Sequence, residues 1–364
     1  MKVTGDTFDL RSEDVSREFW YDWRWQCENR IHTLPQLARV MDKPLSALRK
    51  LSAVTRYYHF SITPYYLSLM DIMDKNDPLR LQCFPDPREI YFSLGGVEDP
   101  LGEERDMPVP NLVHHYPDRC LAMVTNSCFT YCRHCNRKRM WGERTPVNTR
   151  ENLRIMIDYI SQSSVIREVI VSGGDPLTLG DETLDWFLGR LRSIHHVEVL
   201  RIGSRAPAVL PMRITQKLCA ILHKHRPLWF NTQFNHPREI TPEAARACEM
   251  LLEAGIPVSN QSVLLRGIND FYETMRDLLY GLQRIAVRPY YLFQCDPVKG
   301  TDHFRVDLRL GMEIMGKIWN NISGLCVPRY VLDLPDGKGK IPLQPFSLSS
   351  EIDRITKRDC SNSA

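Results

Sequence analysis

Residues 119–135 read RCLAMVTNSCFTYCRHC, an apolar run (LAMVT, 121–125) that leads into three cysteines, Cys128, Cys132 and Cys135, within eight residues. The run has the length and make-up of a buried strand. Thiolates are soft ligands that suit zinc or iron–sulfur clusters. A structural zinc takes four ligands, and Cys120, the nearest other cysteine, stands at the start of the strand, on the wrong side. Three cysteines on one loop suit a 4Fe-4S cluster whose fourth iron takes an outside ligand; zinc and ordinary core cysteines are the competing readings.

Working outward, apolar or β-branched runs alternate with helix patterns: VIVS (169–172), VEVLRIG (197–203), LWFNTQF (228–234), VSNQSVLL (258–265) and PYYLFQ (289–294). Leu153, Met156, Ile157 and Ile160 mark one helical face, and Thr241-Pro242 reads as an N-cap followed by a first-turn proline. Repeated β-then-α predicts an α/β fold with a parallel sheet. Polar groups follow nearly every run: Gly173-Gly174-Asp175, Ser204-Arg205, Asn235-His236, Gln261 and Asp296. Groups gathered from many strand ends describe the mouth of a partial or full (β/α) barrel rather than the single switch point of a doubly wound sheet.

The expected organisation is a helical, aromatic-rich N-terminal region with a wrapping linker (1–110), a partial barrel (111–328) and a short C-terminal segment (329–364). The linker runs from FPDPREI through EDPLGEERDMPVP (84–110), where prolines deny regular structure. A net charge of +3 argues against a global field for nucleic acid or an anionic membrane, and the basic run Arg133, Arg137, Lys138, Arg139, which could be a nucleic-acid patch or a solvated helix face, reads beside the cysteines as an anion site. No signal peptide or membrane-spanning run is legible, so the expected location is the cytoplasm. Eleven cysteines without a secretion signal read as reduced thiols, with Cys27, Cys83, Cys219, Cys248 and Cys326 in the core.

The C-x3-C-x2-C spacing resembles the radical SAM superfamily, in which S-adenosylmethionine (SAM) completes the cluster, and Gly173-Gly174-Asp175 resembles its motif for the SAM amino group. From roughly Arg17 to Pro345 the chain resembles the lysine 2,3-aminomutase family. The carrying stretches are YPDR (116–119), CRHCNRKR (132–139), SGGDPL (172–177), RIGSR (201–205), FNHP (234–237), NQSVLLRGIND (260–270), RPYYLFQCD (288–296) and HFR (303–305). The resemblance implies an isomerase that moves an amino group from C2 to C3 of an amino acid, using a SAM-derived radical and pyridoxal 5′-phosphate (PLP). A flavodoxin or ferredoxin is the implied electron donor.

The implied PLP lysine lies in PDGKGKIP (335–342), where Lys338 and Lys340 compete; the family lysine stands seven residues after an aspartate, which Lys340 satisfies relative to Asp333. Glycines there allow close approach, and a desolvated lysine forms a Schiff base readily, whereas the bland alternative is a solvated loop. Tyr116 and Arg119 match residues at the PLP phosphate, with His115 in place of an arginine. Gln261 matches a SAM-contacting position, and Gln233 stands where the family has histidine. Arg137 matches the grip on the substrate carboxylate.

Asp296 and Asp333 match the pair around a lysine ε-ammonium, and a buried ammonium needs such carboxylates. L-Lysine is therefore the expected substrate. Arginine, ornithine and glutamate are the alternatives, as is supply of β-lysine for translation-factor modification. An iron–sulfur sensor or scaffold is the non-enzyme reading, and the glycine-rich SAM motif speaks against it. Longer family members carry a C-terminal cysteine trio that binds zinc together with a cysteine near GIND. Here Phe271 holds that position and Cys360 stands alone near the end, so the expectation is no zinc, and a homo-oligomer without a zinc bridge.

Overall fold

The structure is a computed structural model that describes residues 16–91, 95–142 and 149–343. Nine strands form one sheet in sequence order: β1 (Leu112–Tyr116), β2 (Arg119–Thr125), β3 (Glu168–Gly173), β4 (Val199–Gly203), β5 (Leu228–Thr232), β6 (Val258–Leu264), β7 (Arg288–Gln294), β8 (Arg329–Asp333) and β9 (Lys340–Pro342). β2 to β8 run parallel, while β1 and β9 pair antiparallel at the two edges, so the sheet curves as an open, partial barrel. Helices Arg150–Gln162, Asp181–Arg192, Gln216–Lys224, Pro242–Glu253, Tyr272–Arg284 and Leu308–Asn321 make the crossovers.

Each expected strand and helix pattern has its counterpart. Leu153, Met156, Ile157 and Ile160 are buried on one helical face, and the Thr241 hydroxyl accepts from the Ala244 N–H as an N-cap. The period of two along the strands separates the layers. Val169, Val171, Leu200 and Ile202 turn to the helices and are buried, whereas Glu168, Ile170, Ser172 and Arg201 face the concave side. That side is too polar to pack as a core, so it encloses a cavity of about 620 Å³.

Three strands went unread in the sequence. β1 (LVHHY) interrupts its apolar pattern with two histidines, and β9 is three residues long and contains a proline. β8 and β9 lie in the segment after residue 328, yet they continue the barrel sheet. Cys360 lies outside the described residues.

From residue 16 onward the described N-terminal residues form helices: Arg17–Tyr21, Trp23–Glu28, Leu34–Val40, Arg49–Tyr57, Pro64–Ser68 and Pro78–Cys83. This region is stitched to the barrel by buried polar bonds, the Thr63 hydroxyl donating to Val209 O at 2.6 Å and the Tyr66 hydroxyl to Glu239 Oε1 at 2.6 Å. The linker is not wholly irregular, because Arg88–Tyr91 forms a helical turn.

That turn explains the basic run, which is neither a nucleic-acid patch nor a solvated face. Glu89, fully buried, accepts from Arg133 (Nε at 3.0 Å, Nη2 at 2.5 Å) and from Lys138 Nζ at 2.6 Å. Glu103 takes Arg137 and Arg139. The acidic linker thus wraps the basic cluster loop, and each buried cation meets a carboxylate.

Candidate active site

Cys128, Cys132 and Cys135 stand on the loop after β2 and all three line the cavity. Backbone bonds fix the loop: Tyr131 N–H donates to Ser61 O at 3.1 Å, Arg133 N–H to Gln82 O at 2.7 Å, and the Arg30 guanidinium to Cys128 O at 2.9 Å. Burial pushes the Cys128 thiol well up and the Cys135 thiol up to about 11, and the nearby cysteines add to both. Thiols whose ionisation burial makes this costly become thiolate ligands only against a cationic partner. No three His, Cys, Asp or Glu side chains among the described residues converge to hold one ion. The three soft donors, with Arg205 Nη1 at 2.6 Å from Cys132 Sγ, fit a multi-iron cluster.

Gly173 and Gly174 pass directly across this loop. A Cβ on Gly173, whose φ is +122°, would lie 2.5 Å from Thr125 O, and one on Gly174 would lie 2.3 Å from Ser127 O. Only glycine permits that approach. Asp175 is buried and its oxygens are already engaged: Oδ1 accepts from the Ser204 hydroxyl at 2.8 Å and from Leu177 N–H at 3.0 Å, and Oδ2 from Arg205 N–H at 2.9 Å. Burial pushes its carboxyl up to about 6 although these bonds pull it back. Asp175 therefore ties the end of β3 to the end of β4. Gln233 and Gln261 line the cavity beside it, with Gln233 Nε2 at 3.3 Å from His134 Nε2.

At the far edge, the turn between β8 and β9 sets Asp333 opposite Lys340 in register, and Lys340 Nζ meets Asp333 Oδ1 at 2.7 Å. Asp333's charge lifts the Lys340 ammonium above the usual lysine range against the opposing effect of burial. Lys340 lines the cavity, whereas Lys338 does not. Asp296 is pushed up to about 7, first by burial and then by the Asp333 charge, while Asn136, Lys340 and Arg137 pull it down. Arg119 stacks on the Tyr116 ring at 3.8 Å, and His115 Nδ1 lies 2.6 Å from Asp106 Oδ2.

Sequence reasoning missed several groups that share this cavity: Glu103, Asp106, the Arg201–Glu168 ion pair, and the Tyr290–Tyr291–Phe293 wall. Arg205 was noted only as a strand-end residue, yet it joins Cys132, Tyr66, Gln82 and Glu239. Its signal was its position at the end of β4. Glu103 carried no signal, because acids are common in such linkers.

A family model described as the Radical SAM superfamily matches residues 123–279. L-Lysine 2,3-aminomutase of Clostridium subterminale is 45% identical over 348 residues, covering 95% of this chain and 84% of that protein. Glutamate 2,3-aminomutase of Clostridioides difficile is 41% identical over 336 residues, covering 92% and 79%. L-Lysine 2,3-aminomutase of Buchnera aphidicola is 36% identical over 334 residues, covering 91% and 98%. With identity sustained over nearly the whole chain and a thiol-lined barrel mouth to match, the chain belongs to the L-lysine 2,3-aminomutase family of radical SAM enzymes, which work with a 4Fe-4S cluster and SAM.

Proposed function

We propose that this protein is an L-lysine 2,3-aminomutase that also uses PLP, and the observation that carries the substrate is the carboxylate pair Asp296 and Asp333 in the cavity wall. Asp296, held near neutrality by burial and by Asp333, gains from a cation brought against it. A lysine ε-ammonium supplies that cation, whereas a glutamate side chain would add a third carboxylate to the same site. Arg137, also in the wall, is the cationic group suited to the α-carboxylate.

Lys340 is the PLP anchor. It is the cavity-lining lysine of its turn, its Nζ sits 5.8 Å from the Tyr116 ring centroid and 5.7 Å from that of Phe293, and Arg119 stands beside Tyr116 for a phosphate. Flat aromatic walls, an amine and a guanidinium fit an aromatic phosphate ester. His115, held by Asp106, completes that corner. Cys128, Cys132 and Cys135 hold the cluster, and the Gly173–Gly174 backbone with Gln233 and Gln261 bounds the space for SAM. Asp175 contributes by fixing the turn.

When bound, the cluster and SAM supply hydrogen-atom abstraction, and PLP supplies the conjugation over which an amino group migrates. The protein orients the amino acid between Arg137 and the aspartates and excludes water from the buried cavity. A flavodoxin or ferredoxin delivers the electron. Anaerobic reconstitution with iron, sulfide, PLP, SAM and reductant, with lysine, arginine, ornithine and glutamate offered separately, tests the reading by mass spectrometry. Isomerisation of lysine in preference to the others is expected; isomerisation of glutamate alone would overturn the carboxylate-pair reading.

A further inference from the structure

Glu103 sits in the linker before β1, and its carboxylate is only 7% exposed. Arg137 Nε reaches both of its oxygens at 3.0 Å, and Arg137 Nη2 reaches Oε1 at 2.6 Å. Its Oε2 also accepts from Arg139 Nη2 at 3.1 Å, and Arg139 Nε is braced in turn by Glu104 at 3.0 Å. Burial alone would raise the Glu103 carboxyl, but the two guanidiniums hold it below the usual range, so the contact is between full charges.

A guanidinium offers two flat edges to a carboxylate, Nε with Nη2 and Nη1 with Nη2. Glu103 occupies the first edge. Nη1 donates to none of the described residues, and both Arg137 and Glu103 line the cavity. We propose that Glu103 is a positioning residue that clamps Arg137 by its inner edge and thereby presents the outer edge, already oriented, to the α-carboxylate of the amino acid substrate. This rests on the assignment of Arg137 given above. A pre-set long side chain loses less freedom when the ligand arrives, so the gain falls on binding.

The opposite effect is also physical: a carboxylate beside Arg137 dilutes its positive charge, and if charge alone mattered, removing it would tighten binding. The test is calorimetric titration of the reconstituted enzyme, without reductant, with L-lysine and with L-lysinamide, which lacks the carboxylate. Wild type is expected to favour lysine. Glu103→Gln, nearly isosteric, should weaken lysine about tenfold and leave lysinamide unchanged, raising KM with little change in kcat. Equal losses for both ligands, or tighter lysine binding, overturn the proposal. A wild type that does not distinguish the two ligands overturns the Arg137 assignment, and the proposal with it. Should Glu103→Gln fail to fold, Glu103→Asp keeps the charge but withdraws it by one methylene; the same ratio should fall, and an unchanged ratio refutes the clamp.

Discussion

Asp296 makes the substrate reading quantitative. Its carboxyl moves from 3.8 to about 7, first through burial and then through the Asp333 charge. At about 1.4 kcal/mol per pH unit this is roughly 4 kcal/mol against ionising Asp296 in a cavity without substrate. A lysine ε-ammonium relieves that cost, so lysine should be captured best by the ionised form. The sign follows directly: below pH 7 Asp296 is neutral and a poor counterion, so kcat/KM for lysine should fall about tenfold per pH unit. Lys340 also opposes the shift, so loading PLP onto that amine moves the break upward rather than down.

Asp333→Asn is the decisive perturbation. It removes the second cause of the shift, so the break should move to lower pH. It also removes one partner of the ammonium, so the plateau should drop about 10- to 100-fold, as expected for a hydrogen bond to a charged group worth roughly 1.5–3 kcal/mol. The assay is a pH profile of kcat/KM for lysine on both proteins. A flat wild-type profile from about pH 5.5 to about 8.5, roughly one and a half units either side of the expected break, or a break that Asp333→Asn drives upward, would refute the reasoning. The same group has a stability signature. Because its folded value is raised, its stabilising contribution is complete below its ordinary 3.8 and is lost as pH climbs through about 7. Asp296→Asn should therefore gain on wild type over that interval in unfolding experiments, and added lysine should close the gap.

Lys340→Ala should abolish PLP absorbance while the cluster's colour persists, and Lys338→Ala should keep both; full PLP occupancy in Lys340→Ala would move the anchor elsewhere. Glu89→Gln leaves Arg133 and Lys138 buried without their carboxylate and should cost about 3–5 kcal/mol in urea unfolding, whereas Glu198→Gln, in an exposed and solvent-screened pair with Arg167, should leave the unfolding midpoint nearly unchanged. Comparable losses would show that the linker's ion pairs are not buried in solution. Gly174→Ala forces its Cβ against the Ser127 backbone and should impair cluster loading and SAM cleavage by about tenfold or more, while Gly180→Ala, with open space around it, should not. Intact loading in Gly174→Ala would mean that the loop yields.

Much of this protein was legible along the chain because its signals are local. A strand run followed by Cys128, Cys132 and Cys135 needs only short-range geometry, and the helix of Leu153, Met156, Ile157 and Ile160 needs only a period. Glycines at 173 and 174 were legible as a family motif, whereas their passage against Thr125 and Ser127 came from the fold. The strand-end groups identified a barrel mouth because parallel strands deliver their C-terminal ends to one place. By contrast, β1 and β9 carry too little apolar pattern to be strands by themselves, and they exist because an edge of the sheet was available to pair with.

The choice of Lys340 over Lys338 could be stated from family spacing, but its physical ground is tertiary: once β9 pairs with β8, Lys340 meets Asp333 and lines the cavity, and Lys338, two residues earlier, does not line it. The fate of the basic run was likewise beyond the sequence. Arg133, Arg137, Lys138 and Arg139 read as an anion site beside the cysteines, but the anions that occupy most of it, Glu89 and Glu103, come from more than thirty residues upstream. Asp296 shows the same division. That it is an acid at the end of a strand was fixed by its place in the chain, whereas its elevation to about 7 depends on burial and on Asp333, which the fold brings in from another strand. Local pattern determines which groups a strand end carries; only long-range packing decides which charges meet in low dielectric, and that meeting sets what each group can do.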